Sequence, residues 1–332
     1  MNIVRQSPLI NLLLLAAIVA VAFLCADDAA AHGQNWTAAA GSQTSRTAFL
    51  GAMLDALQAD APRAARWFSA IIYFIAGWVV GQVVRVRDLY PVRTTLSIPL
   101  YGLTACAVVL PGSTLAAAAA SLVFAAAVRG CFEVCRDGYA FSPVFFAAFC
   151  AGLLPMIYAP ALPLAVVVPL ALLVFKRPAR EAIVALAGLM LPVAAVSYVW
   201  WGAGHDFMQP LGDTAAAFAA AGGNHVTAAV AMTKLPLAGC LLAMAVVAAL
   251  FNLANLYSVG SRPRYITIFN VCVLAVTLPL AALPSATEGV AGLVAVPAAI
   301  AVPGMLGRLR TAVADGLCLL LAAVWTVCVI LT

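Results

Sequence analysis

Long apolar runs separated by short polar ones set the pattern of this chain from end to end. The runs fall at about 9–26, 67–84, 95–110, 114–128, 143–159, 160–175, 181–201, 235–257, 265–283, 287–306 and 312–331. About twenty apolar residues, rising 1.5 Å each, cross a hydrocarbon core of about 30 Å. The pattern therefore predicts an all-α, polytopic transmembrane helical bundle of about eleven spans, a single domain over residues 1–332. Two pairs of runs are short: 95–110 with 114–128, and 143–159 with 160–175. Uncharged turns join them, Pro111-Gly112-Ser113 and Ala159-Pro160-Ala161. Helices of that length reach about 24 Å, so these pairs either cross a locally thinned bilayer or stop short of its far side.

Charge orients the array. With Arg5 on the cytoplasmic side, the inner loops also take Arg85, Arg87, Arg93, Arg129, Arg136, Lys176, Arg177, Arg180, Arg262, Arg264, Arg308 and Arg310. Of the 17 Lys and Arg, only Arg46, Arg63, Arg66 and Lys234 fall outside. The positive-inside rule then predicts the N-terminus in and the C-terminus out. Arg5, the run Leu9–Cys25 and Ala29-Ala30-Ala31 also fit a cleaved signal peptide. The length of the run, and Asp27-Asp28 before the cleavage position, favour a retained signal anchor.

Composition agrees: 65% of residues are hydrophobic and 9% charged, which excludes an ordinary water-soluble domain. The net charge of +5 arises in the inner loops, so it implies contact with membrane lipid headgroups and no nucleic acid. Nine Cys residues, scattered mostly through the runs, are no disulfide framework. Cys131 and Cys135 fall in an inner loop, where two thiols with no His on that side are short of a zinc set. Inside the runs Ala and Val dominate, with Pro at positions including 155, 192, 297 and 303. Each such Pro frees a carbonyl for neighbouring helices to satisfy. Gly77 and Gly81 make a small-xxx-small face for close packing within the bundle.

Polar chemistry concentrates in two long outer loops, 27–66 and 202–234. They hold all 3 His residues (His32, His205, His225) and the acids Asp27, Asp28, Asp55, Asp60, Asp206 and Asp213. Asp27 and Asp28 follow the first span at headgroup depth. A carboxylate there suits a general base or a divalent cation facing a phosphate, and equally a solvated loop acid. His205-Asp206 follows Tyr198-Val199-Trp200-Trp201, an aromatic belt, and offers either an acid–base pair or a simple span boundary. Residues 47–58 place Phe49, Met53, Leu54 and Leu57 on one face, the pattern of a helix lying in the membrane interface. Gly222-Gly223-Asn224-His225 reads as a turn, and Asn35-Trp36-Thr37 matches a glycosylation acceptor only loosely. Within the spans, Asp315 needs a partner, for which Arg308 one heptad earlier is available. Asn252, Asn255 and Asn270 are expected to bond between helices.

The stretch Thr95–Trp201 resembles a family of polytopic bacterial inner-membrane proteins of unknown function. The likeness rests on Thr95-Leu96-Ser97-Ile98-Pro99-Leu100-Tyr101, Ala151-Gly152, Tyr158-Ala159-Pro160, Arg180-Glu181, Gly188, Pro192 and Tyr198. It implies a membrane location and no particular activity; the long first outer loop departs from it. In layout the chain is also similar to polytopic glycosyltransferases that use lipid-linked sugars. That likeness implies a lipid-linked sugar substrate, catalysis by Asp27 or Asp28, and a divalent cation as cofactor. A transporter or flippase using the broken spans and Asp315, and a non-catalytic scaffold for envelope assembly, are the alternatives.

Overall fold

The computed structural model describes residues 7–31, 48–86, 94–109, 115–135, 138–219, 235–258, 260–282 and 289–331. The side chains of residues 23–31, 84–86, 107–109, 235–238, 258, 262, 281–282 and 328–331 lie outside that description. Among the described residues the chain is all-helical, without a strand. The helices are α1 (Pro8–Ala31), α2 (Phe49–Asp60), α3 (Pro62–Val86), α4 (Ser97–Val109), α5 (Leu115–Val134), α6 (Phe141–Ile157) and α7 (Val167–Val174). They continue as α8 (Ala179–Gly202), α9 (Gln209–Ala219), α10 (Leu235–Ala254), α11 (Ser261–Thr277), α12 (Gly289–Leu306) and α13 (Thr311–Leu331). Short 3-10 segments follow α6, α10 and α11.

A helix covers most of each apolar run. Among the described residues, five segments are long and apolar enough to cross a membrane: 62–83, 115–134, 179–202, 263–280 and 289–306. Three boundaries differ from the sequence reading. The run 160–175 is not one α-helix but a 3-10 segment, Ala159–Val166, leading into α7. Pro160 and Pro163 supply no N–H to an α-helical ladder, and the chain takes the tighter winding. The run 114–128 extends to Val134, so α5 is a 20-residue helix of about 30 Å rather than a short span. That places Cys131 inside the helix and fully buried, with Cys135 just beyond its end, not together in a loop. The described residues of the loop 27–66 are also largely helical: α1 continues to Ala31, and α2 and α3 cover 49–60 and 62–66.

α12 is the axis of the bundle, with 89% of its apolar window buried against α3, α4, α5, α10 and α11. Amide side chains from two neighbours tie it in. Asn252 Nδ2 of α10 donates to the Ala301 carbonyl at 2.8 Å, and Asn270 Nδ2 of α11 donates to the Pro297 carbonyl at 3.1 Å. Both acceptors lie in the stretch of α12 from Pro297 to Pro303. Asn255, just past the end of α10, donates its Nδ2 to the Phe251 carbonyl at 2.9 Å.

Close approach elsewhere relies on glycine. A Cβ on Gly81 of α3 would run into the Ile98 side chain of α4, and one on Gly77 would lie 2.8 Å from Leu15 of α1. The Gly77–Gly81 face thus packs inside the bundle. α6 and α8 run parallel and bite into each other twice. Gly152 sits on the Leu189 carbonyl, while a Cβ on Gly188 would lie 2.8 Å from the Ala148 Cβ and 2.9 Å from the Phe145 carbonyl oxygen.

Large apolar side chains lie both inside the bundle and on its outer surface. The interior is rich in alanine, including Ala76, Ala105, Ala116, Ala118, Ala147 and Ala148. The exterior carries Leu13, Trp67, Ile71 and Trp78 on α1 and α3, Ile183, Met190 and Val199 on α8, and Leu319 on α13. Only 22% of the α8 window is buried. Small interior residues let helices approach closely, so dispersion and fit hold them together.

Candidate functional site at the capped end

The helices leave two distinct ends. At one end the two segments that sequence reading assigns to outer loops meet as helices. Trp200, near the end of α8, is where they join. Its ring packs edge-on against Phe49 at the start of α2, centroids 4.6 Å apart. Its Nε1 donates to Gln209 Oε1 of α9 at 3.0 Å. Beneath them, Ala48, Ala159 and Ala217 form a small buried cluster with Phe218 beside it. The turn Ala159-Pro160-Ala161 is therefore roofed by α2 and α9 and buried under protein.

α2 further caps the next long helix. Gln58 Oε1 accepts the N–H of Leu115, one of the donors that the start of α5 leaves without an intrahelical acceptor. The apolar face predicted for 47–58 divides in two. Met53 and Leu57 are exposed, Leu50 and Leu54 pack on the core, and Asp55 turns inward, 9% exposed. Among the described residues Asp55 is a buried carboxylate of this end, which the sequence reading grouped with the other loop acids.

His205 and Asp206 lie where α8 stops. Gly204, at φ +91°, takes the left-handed conformation that suits glycine. The N–H of Gly204 donates to the Trp201 carbonyl at 2.9 Å, and that of His205 to the Trp200 carbonyl at 3.3 Å. These two bonds make a Schellman cap, in which the residue after the glycine packs back on the last turn. His205 does so with its ring, stacked on Trp200 at 4.2 Å and 16°. Asp206 Oδ1 accepts the Met208 N–H at 3.3 Å and opens the turn into α9. Both side chains are exposed, and each has a place in ending one helix and starting the next.

Asp27 and Asp28 sit in the last turns of α1, with their side chains outside the described residues. His32, Arg46, Asn35-Trp36-Thr37, Pro111-Gly112-Ser113, the turn with His225, Lys234 and Glu288 lie outside them as well. Among the described residues no three His, Cys, Asp or Glu side chains converge as a cation site.

The opposite end holds a charged cluster that the sequence did not reveal. Glu181 of α8 is fully buried; its Oε1 accepts the N–H of Ala140, just before α6, at 3.0 Å. Arg177 Nε lies 3.5 Å from Glu181 Oε2. Its other nitrogens donate to the Gly138 carbonyl at 2.8 Å and to the Val134 carbonyl at the end of α5. One ion pair thus fastens α5, α6 and α8 at their shared end. Lys176 beside it has φ +52°, a left-handed turn that aims Arg177 back into the bundle. At the same end Arg308 donates to the Asn255 carbonyl at 3.2 Å. Arg308 lies in the turn before α13, the helix that carries Asp315.

No protein-family model, curated protein or solved structure matches this chain.

Proposed function

We propose that this chain is a multi-pass protein of the bacterial inner membrane, with about eleven spans, its N-terminus in and C-terminus out, acting at the outer face on a lipid-linked substrate. The observation that carries the membrane reading is the apolar exterior. Leu, Ile, Met and Trp face outward on α1, α3, α8 and α13, over an interior rich in alanine. In water such an exterior would be an aggregation surface; in lipid it is matched to its surroundings. The asymmetry of Lys and Arg supports the orientation.

The outer-face reading is supported by the roof of α2 and α9. Exposed Met53, Leu57, Met208 and Leu211 lie on the same roof as the exposed carboxylates Asp206 and Asp213. A mixed surface of this kind suits a molecule with an apolar tail and a polar head. In this reading Asp27 or Asp28 is the base or cation ligand. The transporter alternative draws less support, because Asn252 and Asn270 spend their amide donors on backbone carbonyls of α12.

Two measurements test the proposal. Single-cysteine labelling at residues 63 and 180 is expected to mark 63 from outside and 180 from inside; the reverse refutes the orientation. Native mass spectrometry of the gently solubilised protein is expected to retain a polyprenyl-phosphate or sugar lipid, and Asp27→Asn with Asp28→Asn to abolish turnover. Retention of bulk phospholipid alone refutes the lipid-linked substrate.

A further inference from the structure

α4 begins at the end of the bundle opposite the roof, because its far end leads to Leu115, the residue that Gln58 caps. Its start is enclosed by protein: Thr94, Thr95, Leu96 and Ser97 are each 9% exposed or less. A buried helix start must find acceptors for its first N–H groups. Here the Leu96 N–H goes to Thr94 Oγ1 at 3.2 Å, and the Ile98 N–H to the Thr95 carbonyl at 3.1 Å. Pro99 has no N–H, and the Leu100 N–H bonds to the Leu96 carbonyl at 3.2 Å. That accounting leaves the Ser97 N–H. The Ser97 hydroxyl, with no exposure, meets no partner among the described residues.

Asn11 of α1 reaches the same place. It is buried, and its Nδ2 donates to Thr95 Oγ1 at 2.6 Å. Thr95 accepts in this bond, so its own hydroxyl proton is left to donate, as is the second N–H of the amide. Asn11 Oδ1 meets no partner among the described residues. Rotating the amide by half a turn lets Oδ1 accept the Thr95 proton and puts both N–H groups where Oδ1 stood. Asn11 therefore serves a ligand as a donor.

Donors from α1 and α4 thus gather at the positive end of a 13-residue helix, which is chemistry for an anion. No ammonium or guanidinium takes part in these bonds, so the partial charge of the helix suits one negative charge better than two. The enclosure leaves no room for a lipid headgroup and its acyl chains. We propose that Asn11, Thr95 and Ser97 bind a small monovalent anion such as chloride at the N-terminus of α4. The site does not depend on the outer-face activity.

The test follows thermal unfolding of the full chain in a non-ionic detergent as sodium chloride replaces sodium gluconate at constant ionic strength. A ligand of the folded state raises the midpoint with its concentration. Chloride is expected to raise it saturably. Ser97→Ala removes a hydroxyl donor to a charge and is expected to weaken the apparent affinity about tenfold or more. Thr326→Val removes an exposed hydroxyl bonded within α13 and is expected to leave the response unchanged. If Ser97→Ala fails to fold, Thr95→Val against Thr95→Ser carries the test, the serine keeping the response and the valine losing it. Equal midpoints in chloride and gluconate overturn the site. So does an undiminished response in the folded Ser97→Ala variant, or an equal loss in Thr326→Val. A stronger saturable response to phosphate than to chloride assigns the donors to a divalent anion and overturns the monovalent one.

Discussion

Arg177 and Glu181, one helical turn apart, form an ion pair in which the carboxylate has no exposure at all. The pair reaches three helices through the Val134 and Gly138 carbonyls and the Ala140 N–H. Removing one member of a buried pair leaves the other charged and desolvated, at a cost of about 3–5 kcal/mol. Arg177→Ala is expected to lower unfolding free energy in mixed micelles by about that much. Replacing both, as Arg177→Met with Glu181→Leu, should cost less than either single change. A strictly additive double variant would show that the two side chains are not coupled.

Gly152 and Gly188 predict where bulk is refused. Each meets backbone or Cβ atoms of the facing helix, neither of which can swing aside. Overpacking costs about 1–3 kcal/mol where neighbours can shift, and more is expected at these two positions. Gly188→Val should reduce the monodisperse fraction on size-exclusion chromatography, whereas Gly212→Val, with open space around it, should not. Equal behaviour of the two variants would contradict the parallel packing of α6 and α8.

Trp200 holds the roof together through Phe49, His205 and Gln209. Aromatic pairs contribute about 0.5–1.5 kcal/mol each beyond burial. Trp200→Ala is therefore expected to raise amide hydrogen exchange in both α2 and α9 while leaving α12 protected. His205→Phe keeps a ring on the indole and should leave exchange as in the wild type. Faster exchange in His205→Phe would give the imidazole a role other than stacking.

Asn252 and Asn270 give a fourth prediction. Side-chain hydrogen bonds between helices in lipid average about 0.6 kcal/mol. Asn252→Leu and Asn270→Leu should each cost roughly that amount by thermal unfolding in detergent, with no change in any substrate retained. Loss of retained substrate at full stability would instead make these amides part of a binding path.

Much of this architecture is legible in the chain because its elements announce themselves by composition. A run such as Gly289–Leu306, with no charge, has no fold open to it but a buried or lipid-facing helix. The Gly77–Gly81 spacing likewise gives a packing face that needs no partner to be recognised. Glu181 was illegible for the opposite reason. Nothing near it in sequence tells that Ala140, 41 residues earlier, presents its N–H to that carboxylate. α9 is hidden by its length: 11 residues with Pro210, Gly212 and Asp213 carry too little apolar repeat to be read as a helix. The 3-10 winding of Ala159–Val166 escapes because an apolar run records hydropathy and not pitch. At His205 the residue types pointed to chemistry, and the left-handed Gly204 beside it explains the same histidine as the end of a helix.

The alanine interior has a consequence for how this chain can change. In a water-soluble bundle, drift is free at the surface among polar residues, and the core tolerates exchange among large apolar ones. Here the closest helix approaches, as between α6 and α8, run through glycine and alanine, so even one added methyl there is felt across the interface. Outside, the large side chains of α8 meet no protein neighbour whose shape they must match. Drift should therefore enlarge or shrink the outward residues freely while freezing the small ones, an inverted map of tolerance that a saturation library would display directly.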